Sequence, residues 1–437
     1  MQAPKKKTVV DPTLPATAGN LDAVRFWRMM ALVTSVVAVA LLIVALRFWP
    51  KAGTGPMANV NASINNSAAE PGRTLSLKRW GRLVTEPIVF ERPARLIVPV
   101  DSYFAPAAPW LFTDISAEDL AALFSLPALT EHQKSWLTDR SNWRPQTNGI
   151  AIQPPTVLVM GLAPEVRAEI YGVLARSPEN RFQFAPFCIA TNRMANWLDD
   201  PGISGATREL VAPLVYRRNT LACFSDPGLV ADRIPVAERQ PLIEALSRIP
   251  VQRAYLRFEP GEDLSVVSGY WGSAGGVEAY LPLLQALTHS PYGGQLDINF
   301  LLPRFARQLL YTYPDPKVNG LAYTEDCFWT AFNFFRYPPE PRFKDPVWRQ
   351  QYLMESCDLV TTEPVLGDIY VLVNQAEQPI HACVYLAGDL VFTKNGLSVY
   401  APWVLMSYPD LQQYYSVNGT PGLRVSRDRN PMSKRVR

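Results

Sequence analysis

From Met29 to Leu46 the chain runs without a charged residue or a helix breaker. A hydrocarbon layer about 30 Å thick asks for roughly 20 apolar residues at about 1.5 Å each. With its flanks, over residues 26–49, the run reaches that length. Phe26-Trp27 and Phe48-Trp49 bracket it as interfacial aromatics, and Arg28 and Arg47 mark its ends. A helix apolar all round suits lipid better than a globular core, which needs only one apolar stripe. The run is also long for a signal peptide, and no small-x-small cleavage site follows it. The expectation is an uncleaved helix anchored in a lipid bilayer. Lys5, Lys6, Lys7, Arg25 and Arg28 precede it, whereas only Arg47 and Lys51 follow closely. The positive-inside rule then holds residues 1–25, disordered by composition, in the cytoplasm and sends everything after Pro50 across.

Beyond the anchor, residues 50–75 form a linker rich in Gly, Asn, Ser and Ala, without hydrophobic periodicity. At 437 residues the chain is long enough for two or more cores, and its 48% hydrophobic content makes most of it globular. A net charge of +3 gives no footprint for nucleic acid. Forty prolines predict many short elements joined by stiffened connections. Residues 76–295 read as a mixed α/β region. Leu96–Val100 and Thr156–Met160 are expected as short buried strands, and a helix is expected to start at Pro164 with Val166, Ile170, Val173 and Leu174 at helical spacing. A second helix is expected near residues 276–288, with Pro282 either kinking it or marking its start. Tyr270-Trp271-Gly272 either lines a binding surface or packs in the core. No metal-ligand spacing, phosphate loop or repeat appears in this region.

The segment Leu296–Tyr313, in which Pro303 breaks or starts a helix, is expected to dock this region onto a C-terminal domain over residues 296–420. Chemistry is legible there. Cys327 opens a helix-compatible run through Trp329, Phe332 and Phe335, and His381 lies on an apolar strand some fifty residues later. That is the order of a thiol nucleophile and its imidazole base. The positive end of a helix would lower the thiol pKa from its free value of about 8.5. His381 would take the thiol proton and return it to the leaving group. On the next strand Thr393 and Asn395 share a face, so either can orient the ring, or both are turn residues before Gly396.

Asp326-Cys327, Gly367-Asp368-Ile369-Tyr370 and His381-Ala-Cys383-Val384-Tyr385-Leu386, in that order, resemble the NlpC/P60 superfamily of bacterial cell-wall cysteine hydrolases. The resemblance covers the last quarter of the chain. It departs where Phe328-Trp329 replace a small pair after the nucleophile, and where Thr393 stands near the family's third histidine. It implies an α+β protein whose C-terminal domain is papain-like, a helix packed on an antiparallel sheet, attacking amide bonds of peptidoglycan stem peptides at the bacterial cell membrane. Cys327, His381 and Thr393 or Asn395 would be catalytic, and the Cys327 N–H an oxyanion donor. Tyr323, Asp326 and Trp329 would border the substrate. No metal or organic cofactor is implied. A scaffold that binds wall peptides without cleaving them, and an acyltransferase or lipid-linked amidase, share the same residues. Of the five cysteines, Cys188 and Cys223 can bridge each other, Cys383 is expected to border the site, and an odd count leaves at least one thiol free or paired between chains. Residues 421–437 read as a disordered basic tail.

Overall fold

The computed structural model describes residues 73–74, 79–93, 96–97, 99–272, 277–315, 325–416 and 419–430. The apolar run Met29–Leu46, the linker's residues 50–72 and Tyr323 lie outside them. No helix among the described residues is long and apolar enough to cross a membrane.

The protein is α+β, with helices set against antiparallel sheets. Strand β1 (Arg73–Thr74) pairs with β2 (Arg82–Phe90), which buries Leu83 and Val84. The chain then departs over residues 91–248 into an insert with two small sheets. In the first, β3 (Trp110–Thr113), β4 (Trp143–Gln146) and β5 (Gly149–Ile152) stand in the order β3-β5-β4. In the second, β6 (Phe187–Ala190), β7 (Tyr216–Arg218) and β8 (Leu221–Phe224) stand in the order β6-β8-β7. The helix Pro164–Leu174 forms as its periodicity predicts, with Val166, Ile170 and Leu174 inside. It also buries Arg167, whose guanidinium meets Asp226 at 2.5 Å while the Tyr171 hydroxyl donates to the other carboxylate oxygen at 2.6 Å. A buried charge needs such a partner.

Two strand expectations fail in the insert. Thr156–Met160 is a short helix, and Leu96–Val100 gives way to a 3-10 turn over Val100–Ser102. A five-residue apolar run carries no period of its own. In the first case Pro155 sets the backbone, and its carbonyl accepts from Leu158 and Val159 as the first turn closes.

Strands β9 (Ile249–Phe258) and β10 (Gly294–Asp297) complete the first sheet in the order β1-β2-β9-β10. β9 pairs β2 along its length, from Arg82↔Arg257 to Phe90↔Ile249. The helix Val277–His289 carries Pro282 inside it, and Pro303 caps the start of Arg304–Leu309. Trp271 is core, 1% exposed, with its indole N–H donating to the Trp80 carbonyl at 3.0 Å. One continuous core joins Leu83, Leu256, Trp271 and Leu296 to Phe305, Trp329 and Val384. It crosses residue 295, so the expected domain boundary there is not a boundary of packing.

The last sheet contains β11 (Cys357–Leu359), β12 (Ile369–Val373), β13 (Pro379–Ala387), β14 (Leu390–Lys394), β15 (Trp403–Ser407) and β16 (Gly422–Asp428). Its order is β11-β16-β12-β13-β14-β15, so four consecutive strands form a meander and the chain end returns to pair β12. The expected disordered tail is thus a strand through Asp428. Its described basic residues are partnered: Arg427 forks onto Asp368 at 2.7 Å twice, Arg429 meets Asp358 at 2.8 Å, and Arg424 meets Glu377; residues 431–437 lie outside the described ones.

Candidate active site

Asp326 caps the helix Cys327–Phe332, its carboxylate accepting from the Trp329 N–H at 2.8 Å. The helix stops a turn before Phe335. Asn333 ends it, donating to the Trp329 carbonyl at 3.0 Å and accepting from the Glu340 N–H at 2.6 Å. Phe335 then lies against Gly367, which has φ +93 and where a Cβ would come within 2.2 Å of the ring. Only glycine fits such a position. The adjoining Asp368 is buried and holds the Val365 N–H and Arg427.

Residues of β13 alternate between two surroundings. Ala382, Val384 and Leu386 join the core that contains Trp329, Ala331 and Phe332 of the helix. Cys383 and Tyr385 turn the other way, toward Tyr370, Val391 and Met406, and His381 shares their parity. The imidazole is fully buried, and Tyr415 stacks on it with centroids 4.2 Å apart.

A directed hydrogen-bond chain leads to His381. The Asn395 amide N–H donates to Met406 Sδ at 3.0 Å, and Asn395 Oδ1 accepts from the Thr393 hydroxyl at 3.2 Å. With its proton committed there, Thr393 Oγ1 accepts from His381 Nε2 at 2.9 Å. That network assigns the ring proton to Nε2. The lone pair therefore sits on Nδ1, which is buried and has no hydrogen-bond partner. Thr393 is the residue that holds the ring, and Asn395 holds Thr393.

Cys327 is 6% exposed. Burial, with the Asp326 carboxylate adding to it, pushes its thiol up to about 12, against smaller help from the Ala382 and Phe328 backbone N–H groups and Arg349. The expected lowering by the helix end is thus reversed, because a six-residue helix supplies less than burial removes. Burial likewise carries His381 down to about 3. At neutral pH the pair is a thiol and an uncharged imidazole. No hydrogen bond reaches Nδ1, although the sulfur is served by the N–H of the very next residue, Ala382. The Cys383 thiol is fully buried and is pushed up by that burial and by Cys327.

Two expected substrate contacts have other duties. The second Asp326 oxygen accepts from Arg349 at 2.5 Å, so this carboxylate is consumed by its helix and by an ion pair. Trp329 packs in the core with Phe305, ring centroids 5.2 Å apart. Sequence reasoning missed Tyr415 and Lys394. Lys394 is fully buried, donates from Nζ to the carbonyls of Gly396 at 2.7 Å and Ser398 at 3.0 Å, and is lowered to about 8 by burial. Its signal was its place inside an apolar strand; Tyr415 gave none. No group of three or more His, Cys, Asp or Glu side chains suited to a metal occurs among the described residues. Comparison with family models, curated proteins and solved structures gives no match.

Proposed function

We propose that the protein is a cysteine hydrolase of amide bonds with a closed resting site, its papain-like C-terminal region held at the bacterial cell envelope by residues 26–49. The observation that carries this reading is the chain Met406–Asn395–Thr393–His381, which orients a neutral imidazole and leaves its basic nitrogen unspent one residue from the amide that addresses Cys327. In the working state Nδ1 takes the thiol proton, Cys327 attacks the carbonyl, and the imidazolium returns the proton to the leaving amine. Water then releases the acyl group. Hydration of an opened site brings both pKa values back toward each other, which the closed state prevents. Stem peptides of peptidoglycan are the substrate class the sequence resemblance supplies.

A non-catalytic module that binds wall peptides is the second reading. The missing Cys327–His381 hydrogen bond and the buried, neutral state of both groups favour it. Incubating the full chain with purified stem peptides and following new amino termini by mass spectrometry separates the two. Hydrolysis abolished by Cys327→Ala and reduced ~10²–10⁴-fold by His381→Ala supports the enzyme. Absence of product, with iodoacetamide labelling of Cys327 indifferent to His381→Ala with and without peptide, refutes it.

A further inference from the structure

A cavity of about 340 Å³ opens between the insert and the C-terminal sheet. Neither Cys327 nor His381 lines it, although Asn395 and Met406 of the chain that orients His381 do. Its body is apolar: Phe187 and Ile189 of β6 face Val404 and Met406 of β15, with Ala401 beside them. Its charged groups are mostly cations, beside uncharged Ser247, Ser398 and Asn395. Arg248 is neutralised, meeting Asp200 at 2.5 Å and Glu91 at 3.2 Å. Arg92, Arg181 and Arg193 pair with no carboxylate among the described residues. Arg92 lies over the Tyr400 ring at 4.9 Å and its Nε is buried without an acceptor. Arg181 lies over Tyr103 at 5.3 Å and Phe182 at 4.9 Å. Against these three stands one lining carboxylate, Asp410.

Stacked guanidiniums keep their N–H edges for an oxygen anion while their faces rest on aromatic rings. Apolar walls with few convergent charges are the make-up of a small-molecule site, and the volume lies within its usual range of about 300–1,000 Å³. We propose that this cavity binds an amphipathic organic anion, a carboxylate or phosphate carried on a compact apolar body. The anion meets Arg92, Arg181 and Arg193, and the body fills the space between β6 and β15.

Isothermal titration of the full chain in zwitterionic-lipid nanodiscs, with empty nanodiscs as blank, tests this. The probes are 1-naphthyl phosphate, 1-naphthoate, uncharged 1-naphthol and inorganic phosphate. One or both naphthyl anions should bind about tenfold or more tighter than naphthol and than inorganic phosphate. Which of the two binds tighter separates a phosphate from a carboxylate ligand. Arg193→Gln, at a partly exposed position, should weaken the anion about fivefold or more, and Ala401→Trp, which fills the cavity, should abolish binding; unchanged melting temperatures show that both variants fold. Naphthol binding as tightly as the anions, inorganic phosphate binding as well as naphthyl phosphate, affinity indifferent to both substitutions, or no binding at all each overturns the proposal.

Discussion

Lowering the pH from 7.5 to 5 should destabilise this protein through His381 in particular. Burial holds the folded-state pKa at about 3 against 6.5 for the free imidazole. Between those values the unfolded chain binds a proton that the folded chain refuses, so stability rises with pH across the window and falls as acid is added. At about 1.36 kcal/mol per pH unit the full effect approaches 5 kcal/mol, of which roughly 2 kcal/mol is lost by pH 5. Lys394 does not contribute there. Its folded pKa of about 8 lies below the free value of 10.5, so its own loss falls between those two values as pH drops and is complete by pH 7.5. Cys327 acts only in alkali, where its raised pKa removes stability as pH climbs above 9. Urea unfolding followed by tryptophan fluorescence, at pH 7.5 and 5, should show the natural chain losing about 2 kcal/mol more than His381→Gln. Glutamine can still donate to Thr393 but cannot titrate. Equal losses in the two proteins would mean that the imidazole is solvated or charge-paired, and the closed, neutral site described above would be wrong.

Gly367→Ala puts a Cβ at φ +93 and against the Phe335 ring, and should cost about 2–4 kcal/mol in the same urea assay; a loss below about 0.5 kcal/mol would show that this turn has another backbone. Arg427→Ala leaves the buried Asp368 carboxylate with only the Val365 N–H, and because Arg427 is itself 38% exposed the loss should be about 2 kcal/mol, below the ~3–5 of a fully buried pair. Cys188 and Cys223 sit directly opposite on β6 and β8 with sulfurs 3.1 Å apart, so mild oxidation should join them, with loss of two hydrogens in the intact mass and a melting temperature raised relative to Cys188→Ser under the same oxidant. Both thiols remaining free to alkylation would refute that pairing.

Legibility followed the local periods. The strands holding Ile369, His381 and Thr393 alternate within a few residues of each other, so their existence, their order and the shared face of Thr393 and Asn395 could be read directly. The direction of the hydrogen bonds could not, because it depends on Met406, a strand away, accepting from Asn395. The helix end at Asn333 depends on the backbone of Glu340. The strand Gly422–Asp428 was hidden because Arg424, Arg427 and Arg429 look like a solvated run until Glu377, Asp368 and Asp358 are brought opposite them. Val371↔Arg424 and the other pairs of that ladder are contacts of long sequence separation, which no window of the chain contains.

The pairing of β2 with β9 also sets an order of events during synthesis. β2 leaves the ribosome with only β1 made to pair it, and the partner of its other, nine-residue edge does not exist until residues 91–248 have been made. The insert has hydrophobic clusters of its own, one around Phe112, Tyr171 and Leu174 and another around Trp197, Phe224 and Leu242, so it can collapse while the edge waits. A collapsed insert brings Phe90 and Ile249 together, and the loop that β9 must close is then short in space though long in sequence. Slowing that collapse lengthens the life of an open strand edge, the species from which chains of this kind would aggregate.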